Sequence, residues 1–249
     1  MAKPPDRSAP RPAATPPAVN ESPTSSRADI EAFVAQVRAL GPAGDPGHRG
    51  RLVFALDATM SRQPTWDTAC RLQADMFAET AAIGGLDVQL VYFRGLTECR
   101  ASRFVSDPRA LSGLMERIDC RGGHTQIGKV LAHVRHETEA ARVQALVYVG
   151  DAMEEAVDDL CARAGELGLA GVPAFMFQEG GDPVAERAFR EIARLSGGAW
   201  CRFSPGAAHE LGALLRAVAA YASGGRRALQ RLSDRNPEAL RLLAQLGSP

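Results

Sequence analysis

The sequence predicts an α/β fold in which a mostly parallel sheet is covered by helices on both faces. Two observations predict it. Four short runs are mostly apolar and do not alternate with polar residues as a half-exposed strand does, so they are typical of strands buried on both faces. Longer segments with helical period separate most of these runs, and such regular alternation of strand and helix favours a parallel sheet between two helical layers.

Each element follows from its local pattern. The buried strands are predicted where the four apolar runs lie, at residues 52–56, 88–93, 145–149 and 172–177. A fifth, short strand is predicted at residues 199–203. Residues 98–105 alternate more, as an edge strand does, and we place them beside residues 88–93. Helical period marks the segments at residues 66–82, 108–118, 127–139, 155–167, 184–195 and 208–221.

The chain divides into four parts. Residues 1–27 hold seven of the sixteen prolines and only one bulky aliphatic side chain, so we expect a disordered tail. Residues 28–49 are predicted to form a short amphipathic helix followed by a Gly/Pro linker. The folded domain is expected at residues 50–222. Residues 223–249, with five arginines against two acids, are expected to form a C-terminal helical extension.

Composition and charge narrow the class of partner. The 249 residues include 29 basic and 29 acidic side chains, so there is no net charge to attract nucleic acid or an anionic membrane, and neither is an expected partner. No apolar run reaches the roughly 20 residues that span a bilayer, and the N-terminus lacks the apolar segment of a signal peptide. We therefore expect a cytoplasmic protein.

Five scattered cysteines without a CxxC pair indicate neither a disulfide framework nor a zinc site.

Oxygen-bearing side chains follow two of the predicted strands and occupy one loop. In an open parallel sheet, ligands bind beyond the carboxyl ends of the strands. The first strand runs into Asp57-Ala-Thr-Met-Ser61, and the strand at residues 145–149 is followed by Gly150 and Asp151. The loop at residues 121–125 supplies a further hydroxyl after two glycines, which permit close approach of the backbone. The candidate site residues are Asp57, Thr59, Ser61, Thr125 and Asp151.

This donor set indicates a hard cation. Carboxylate and hydroxyl oxygens favour Mg²⁺, with Mn²⁺ or Ca²⁺ as alternatives, and disfavour zinc. If the two carboxylates act through water, a coordination position is left for a carboxylate from outside. We predict no catalytic residue.

These residues resemble the metal-ion-dependent adhesion site of von Willebrand factor A (VWA) domains, and the resemblance covers residues 50–222. It implies a doubly wound, Rossmann-like fold with strand order 3-2-1-4-5-6 and Mg²⁺ at its top. Thr59 and Ser61 would ligate the ion directly, Thr125 directly or through water, and Asp57 and Asp151 mostly through water. A partner protein's Asp or Glu would complete the coordination.

The resemblance implies a non-enzymatic protein-binding module, such as an assembly or adaptor factor. Two positions depart from the family pattern. Thr59 stands where the family usually has Ser, and Gly150-Asp151-Ala152 stands in place of Thr-Asp-Gly.

An alternative function is a Mg²⁺-dependent phosphohydrolase. Asp57 with Ser61, Lys129, and Gly150-Asp151 followed by Glu155 loosely resemble the motifs of the haloacid dehalogenase family. In that case Asp57 would be the nucleophile and Lys129 would orient it.

Other charged residues are assigned to solvent or to helix ends. Glu154, Glu155, Asp158 and Asp159 open a predicted helix, whose dipole their negative charge complements. His133 and His136 lie among charged residues, so we expect them on a solvated helix face.

Overall fold

The structure is a computed structural model that describes residues 49–65, 86–203, 215, 217–219 and 222. Within these ranges, one sheet is formed by β1 (Gly50–Asp57), β2 (Leu86–Arg94), β3 (Glu98–Ala101), β4 (Ala145–Gly150), β5 (Ala174–Glu179) and β6 (Ala199–Phe203). The strand order is β3-β2-β1-β4-β5-β6. All neighbouring strands are parallel except β2 and β3, which are antiparallel. The predicted fold class is confirmed, and so is the edge strand beside β2.

The helices lie between the strands, close to where the sequence predicts them. They are α1 (Pro108–Met115), α2 (Ile127–Ala140), α3 (Val157–Leu169) and α4 (Pro183–Ser196), and β1 is followed by a 3-10 helix, Met60–Thr65. Within the described part of the chain, none of these is long and apolar enough to span a membrane. The cytoplasmic location stays a prediction.

Several predicted elements lie outside the described residues. These are the tail, the N-terminal helix, the helix at residues 66–82 and the C-terminal extension. Of the helix predicted at residues 208–221, the described residues 215 and 217–219 are helical, as is residue 222 just beyond it.

The core has two layers, one on each face of the sheet. Leu52, Phe54 and Leu56 of β1 are completely buried on one face, in a cluster that includes Leu111 of α1 and Val218. On the other face, β1 contributes to a cluster that includes residues of α2, α3 and α4. Because successive side chains of a strand point to opposite faces, a central strand between two helical layers carries apolar side chains toward both faces.

One helix face differs from its prediction. His133 of α2 is half-buried, with Nε2 2.9 Å from Oε1 of Gln89 on β2. Gln89 in turn donates to Glu137, which also pairs with Arg51 of β1. Burial lowers the pKa of His133. The expected solvated face is therefore wrong for His133, because polar side chains of β1 and β2 meet this stripe of α2, whereas His136 is exposed as expected.

Candidate metal centre

Asp57, the last residue of β1, is a buried acid. Its Oδ1 accepts the N–H of Thr59 at 2.8 Å. Its Oδ2 is buried and has no hydrogen-bond partner among the described residues. Burial raises the pKa of Asp57 to about 6, and the nearby charge of Asp151 adds to this effect, whereas the hydrogen bonds from Thr59 and the charge of Arg62 oppose it. The buried Asp57 carboxylate therefore has too few hydrogen bonds and positive charges around it to compensate its own charge.

The two hydroxyls that follow Asp57 lie side by side. Oγ1 of Thr59 and Oγ of Ser61 are 3.1 Å apart, in the turn that leads into the 3-10 helix. Thr59 also forms an isolated bridge with Arg121, whose N–H donates to the carbonyl of Ala58 at 3.0 Å. The loop that carries Thr125 is therefore attached to the end of β1.

Asp151 follows the strand next to β1. Leu56 pairs with Val149 in the register of β1 and β4, so the two strands end side by side and Asp151 follows directly on β4. Oδ1 of Asp151 is buried and, like Oδ2 of Asp57, has no hydrogen-bond partner within the described ranges. One carboxylate oxygen from each aspartate is thus buried without a hydrogen bond at the same edge of the sheet.

Tyr148 explains why glycine occupies position 150. A Cβ on Gly150 would lie 2.6 Å from the Tyr148 hydroxyl, which is itself buried and unpartnered among the described groups. Burial, together with the charges of Asp57, Glu155 and Asp151, raises the pKa of Tyr148 well above its ordinary value. The departure from the family's Thr-Asp-Gly pattern therefore makes room for a tyrosine hydroxyl close to the acids, which sequence analysis missed.

Thr125 is held by the loop after β4. Its N–H donates to Oε2 of Glu154 at 3.0 Å, and its Oγ1 accepts the N–H of Glu154 at 2.9 Å. The same carboxylate oxygen lies 3.0 Å from Nδ1 of His124. The hydrogen bonds that position Thr125 therefore come from the segment that also carries Asp151.

The Glu155 side chain caps the start of α2, although Glu155 lies just before α3 in the sequence. Its carboxylate accepts the N–H groups of Ile127 and Gly128 at the start of α2, the second at 2.9 Å. From the sequence we expected Glu154 and Glu155 at the start of the helix at residues 155–167, but α3 begins at Val157. Glu154 binds the Thr125 loop instead, and Glu155 binds the start of α2. That assignment is wrong for these two residues, whereas Asp158 and Asp159 do lie in the first turn of α3.

Arg62 is a buried cation that sequence analysis also missed. Its side chain has no exposed surface, and its guanidinium forms an ion pair with Glu179, the last residue of β5. Its N–H donates to the carbonyl of Thr59 at 3.1 Å. Burial lowers the pKa of Arg62, and the charges of Asp151 and Asp57 act in the opposite direction. An arginine that follows a loop serine carries no sequence pattern that would indicate burial.

The comparison with solved structures identifies the architecture. An aerotolerance-related membrane protein from Bacteroides fragilis matches 67% of this chain and 98% of its own, with 17% identity and a TM-score of 0.52. The VWA domain of SpRpn10 matches 63% of this chain and 89% of its own, with 12% identity and a TM-score of 0.53. A von Willebrand factor type A structure from Catenulispora acidiphila matches 69% of this chain and 43% of its own, with 18% identity and a TM-score of 0.52.

The chain has the fold of a VWA domain. Neither a protein-family model nor a curated protein matches the amino-acid sequence. The VWA fold therefore rests on the strand order and on the structural likeness.

The donors at the carboxyl edge of this VWA fold suit a hard divalent cation. Across the described ranges, no three His, Cys, Asp or Glu side chains form a group that could hold a metal ion. The available donors are two carboxylates and neighbouring hydroxyls, which suit an ion such as Mg²⁺ that retains several of its waters. The buried carboxylate oxygens of Asp57 and Asp151 fit such an ion, because a buried charge without a partner is costly.

Lys129 does not occupy the position that the phosphohydrolase alternative needs. Its Nζ donates to Oε1 of Gln126 at 2.7 Å and to the carbonyl of Thr97 at 3.1 Å. These bonds hold the ammonium group between the first turn of α2 and the β2–β3 turn. This geometry does not favour a lysine that orients Asp57.

Proposed function

We propose that this chain is a non-enzymatic protein-binding module that holds Mg²⁺ at the carboxyl edge of its sheet and engages an Asp or Glu of a partner protein through that ion. Mn²⁺ and Ca²⁺ are the alternative occupants. The ligands are Asp57, Thr59, Ser61, Thr125 and Asp151. The observation that carries the proposal is the pair of buried, unbonded carboxylate oxygens, one from Asp57 and one from Asp151, beside the Thr59–Ser61 hydroxyl pair in the described structure.

The role of each ligand is the one that the resemblance to the metal-ion-dependent adhesion site implies. The hydroxyls of Thr59 and Ser61 bind the ion directly, and the carboxylates supply negative charge, mostly through bound water. Because hydroxyl ligands are neutral, the ion keeps enough positive charge to attract a carboxylate from outside. The VWA fold supports a protein-interaction role, and we place the chain among assembly or adaptor factors.

The rim of the site offers apolar surface for a protein partner. Met60, between the two hydroxyl ligands, is exposed. Leu96 is also exposed, in the β2–β3 turn, where the carbonyl of the adjacent Gly95 accepts the N–H of His124 in the Thr125 loop at 3.2 Å. Protein interfaces combine such apolar contacts with a polar or charged centre.

The first test is direct metal binding. Titration calorimetry of the purified chain with Mg²⁺ should give a saturable heat that Asp57→Ala abolishes and that Asp158→Ala, at an exposed acid in the first turn of α3, leaves unchanged.

Capture of a partner from a lysate, with the wild type and the same two variants, should recover a protein that is lost with EDTA and with Asp57→Ala. Binding of Mg²⁺ that does not depend on Asp57 would contradict the site, and a partner retained under both treatments would contradict the mechanism.

The non-enzymatic part of the proposal has its own test. Incubation with Mg²⁺ and a generic phosphate ester should give no turnover above buffer. Hydrolysis that Asp57→Asn abolishes would favour the phosphohydrolase instead.

A further inference from the structure

Arg62 places a fixed positive charge among the acids of the proposed metal site. It follows Ser61 directly, and its side chain is fully buried. It pairs with Glu179 at the end of β5, while Asp57 and Asp151 lie at the ends of the adjacent strands β1 and β4, near enough for their charges to act on the guanidinium. Arg62 is not one of the five proposed ligands.

The charges of this cluster do not balance. Asp57, Asp151 and Glu179 carry three negative charges when ionised, and Arg62 carries one positive charge, so these four described residues leave a net charge of about −2. Buried net charge is unfavourable. A divalent cation would offset the net charge of these four residues.

The guanidinium and a bound metal ion act on the same carboxylates in different ways. Arg62 is tethered to the chain and keeps its charge at neutral pH, so it compensates part of the negative charge when no ion is present. When an ion arrives, the two cations repel each other, and in a low-dielectric site this repulsion is large. The same charge therefore stabilises the metal-free state and opposes loading.

We propose that Arg62 is the built-in counter-ion of this site: it keeps the metal-free protein folded and lowers the affinity of the site for divalent cations. The inference rests on the proposed function for the location of the ion. It goes beyond that function because it assigns the strength of metal binding to a residue that does not ligate the metal.

The experiment compares matched variants in one buffer of fixed ionic strength. Arg62→Met/Glu179→Gln removes both charges of the ion pair, so the cluster keeps its net charge but loses the repelling cation. Arg62→Lys keeps the positive charge. Arg202→Gln removes another partly buried arginine, which lies on β6 and pairs with Glu186. Mg²⁺ affinity is measured by titration calorimetry, and unfolding midpoints are measured in EDTA and in Mg²⁺.

We expect the double variant to bind Mg²⁺ at least about tenfold more tightly than the wild type and to gain more thermal stability from Mg²⁺. Arg62→Lys and Arg202→Gln should stay within about threefold of the wild type, a difference below roughly 0.7 kcal/mol, because both variants keep a cation at position 62. A folded double variant that binds no more tightly than the wild type would overturn the proposal.

The outcomes separate this inference from the proposed function. If only the double variant binds, Arg62 acts as proposed and the wild type is not a metal-dependent module. If neither protein binds, both proposals fail. If the double variant folds only with Mg²⁺, the ion has replaced Arg62 and the inference is supported. If the double variant folds in neither buffer, the Mg²⁺ affinity of Glu179→Gln is measured instead. This variant removes a negative charge beside an intact Arg62, so it should bind Mg²⁺ at least about tenfold more weakly than the wild type. An unchanged affinity would overturn the inference.

Discussion

Asp57 is an acid whose burial makes the stability of the metal-free protein depend on pH. Its pKa rises from an ordinary 3.8 to about 6, mainly because burial disfavours the charged form. The folded state therefore holds this proton more tightly than the unfolded chain. The resulting contribution to stability is complete below about pH 4 and is lost as the pH rises through about 6, which amounts to about 3 kcal/mol.

Asp57→Asn should therefore stabilise the protein in EDTA. We expect the free energy of unfolding to rise by up to about 3 kcal/mol at about pH 7.5 and to change little near pH 4, because the amide carries no charge to bury. Urea unfolding at both pH values measures this difference. Asp158→Asn, at an exposed acid, serves as the control and should have little effect at either pH. An equal gain at both pH values would refute the electrostatic explanation.

Glu155 stabilises the start of α2 from a different part of the chain. Its carboxylate accepts two backbone N–H groups that have no partner within the helix. Glu155→Ala should lower the free energy of unfolding by about 1–2 kcal/mol, as the loss of a helix cap does. Asp159→Ala, at an exposed acid of α3, is the matched control, and urea denaturation measures both. Equal losses in the two variants would mean that the capping bonds contribute nothing specific.

The loop at residues 121–125 depends on close backbone contact with the β2–β3 turn. A Cβ on Gly123 would lie 2.0 Å from the carbonyl oxygen of Gly95, whereas a Cβ on Gly122 would meet nothing within 4 Å. Only Gly123 is therefore needed for the loop to approach β2. The position of the Thr125 hydroxyl depends on this approach, because Thr125 follows in the same loop.

Gly123→Ala should displace the loop and weaken Mg²⁺ binding at least about tenfold, with a loss of about 1–3 kcal/mol in stability from overpacking. Gly122→Ala should change both quantities little, since the added methyl group meets open space. Calorimetry and urea unfolding of the two variants test this prediction. Normal Mg²⁺ affinity in Gly123→Ala would show that the loop position does not matter for the ion.

The hydrophobic core of the whole domain is built without the metal site. Phe54 lies three residues before Asp57 on β1 and is completely buried in one of the two apolar layers. An ion at the carboxyl edge of the sheet would contribute no contact within these apolar layers. We therefore expect the EDTA-treated protein to retain its far-UV circular dichroism and a cooperative unfolding transition.

Phe54→Ala should cost about 3–5 kcal/mol, in EDTA and in Mg²⁺ alike, because it opens a cavity in the core. Unfolding curves of the wild type and the variant in both buffers measure the cost. A fold that disappears when EDTA is added to the wild type would contradict this separation of core and site.

The amino-acid sequence was enough to predict the architecture of the domain and to select the candidate ligands. Apolar runs such as residues 145–149 indicate strands buried on both faces, and their alternation with helical segments indicates a parallel sheet, because burial imposes its period on the local sequence. The same sheet predicts where ligands bind, so Asp57 and Asp151 could be selected as residues that follow strands.

The other groups around the candidate site could be identified only from the folded structure. Arg62 meets Glu179 across 117 positions, Glu155 caps a helix that starts 28 residues earlier, and the Tyr148 hydroxyl fills the space beside Gly150. None of these contacts leaves a periodic pattern in the sequence. They depend on strand register and on which strands end side by side, and these are fixed by packing of the whole chain.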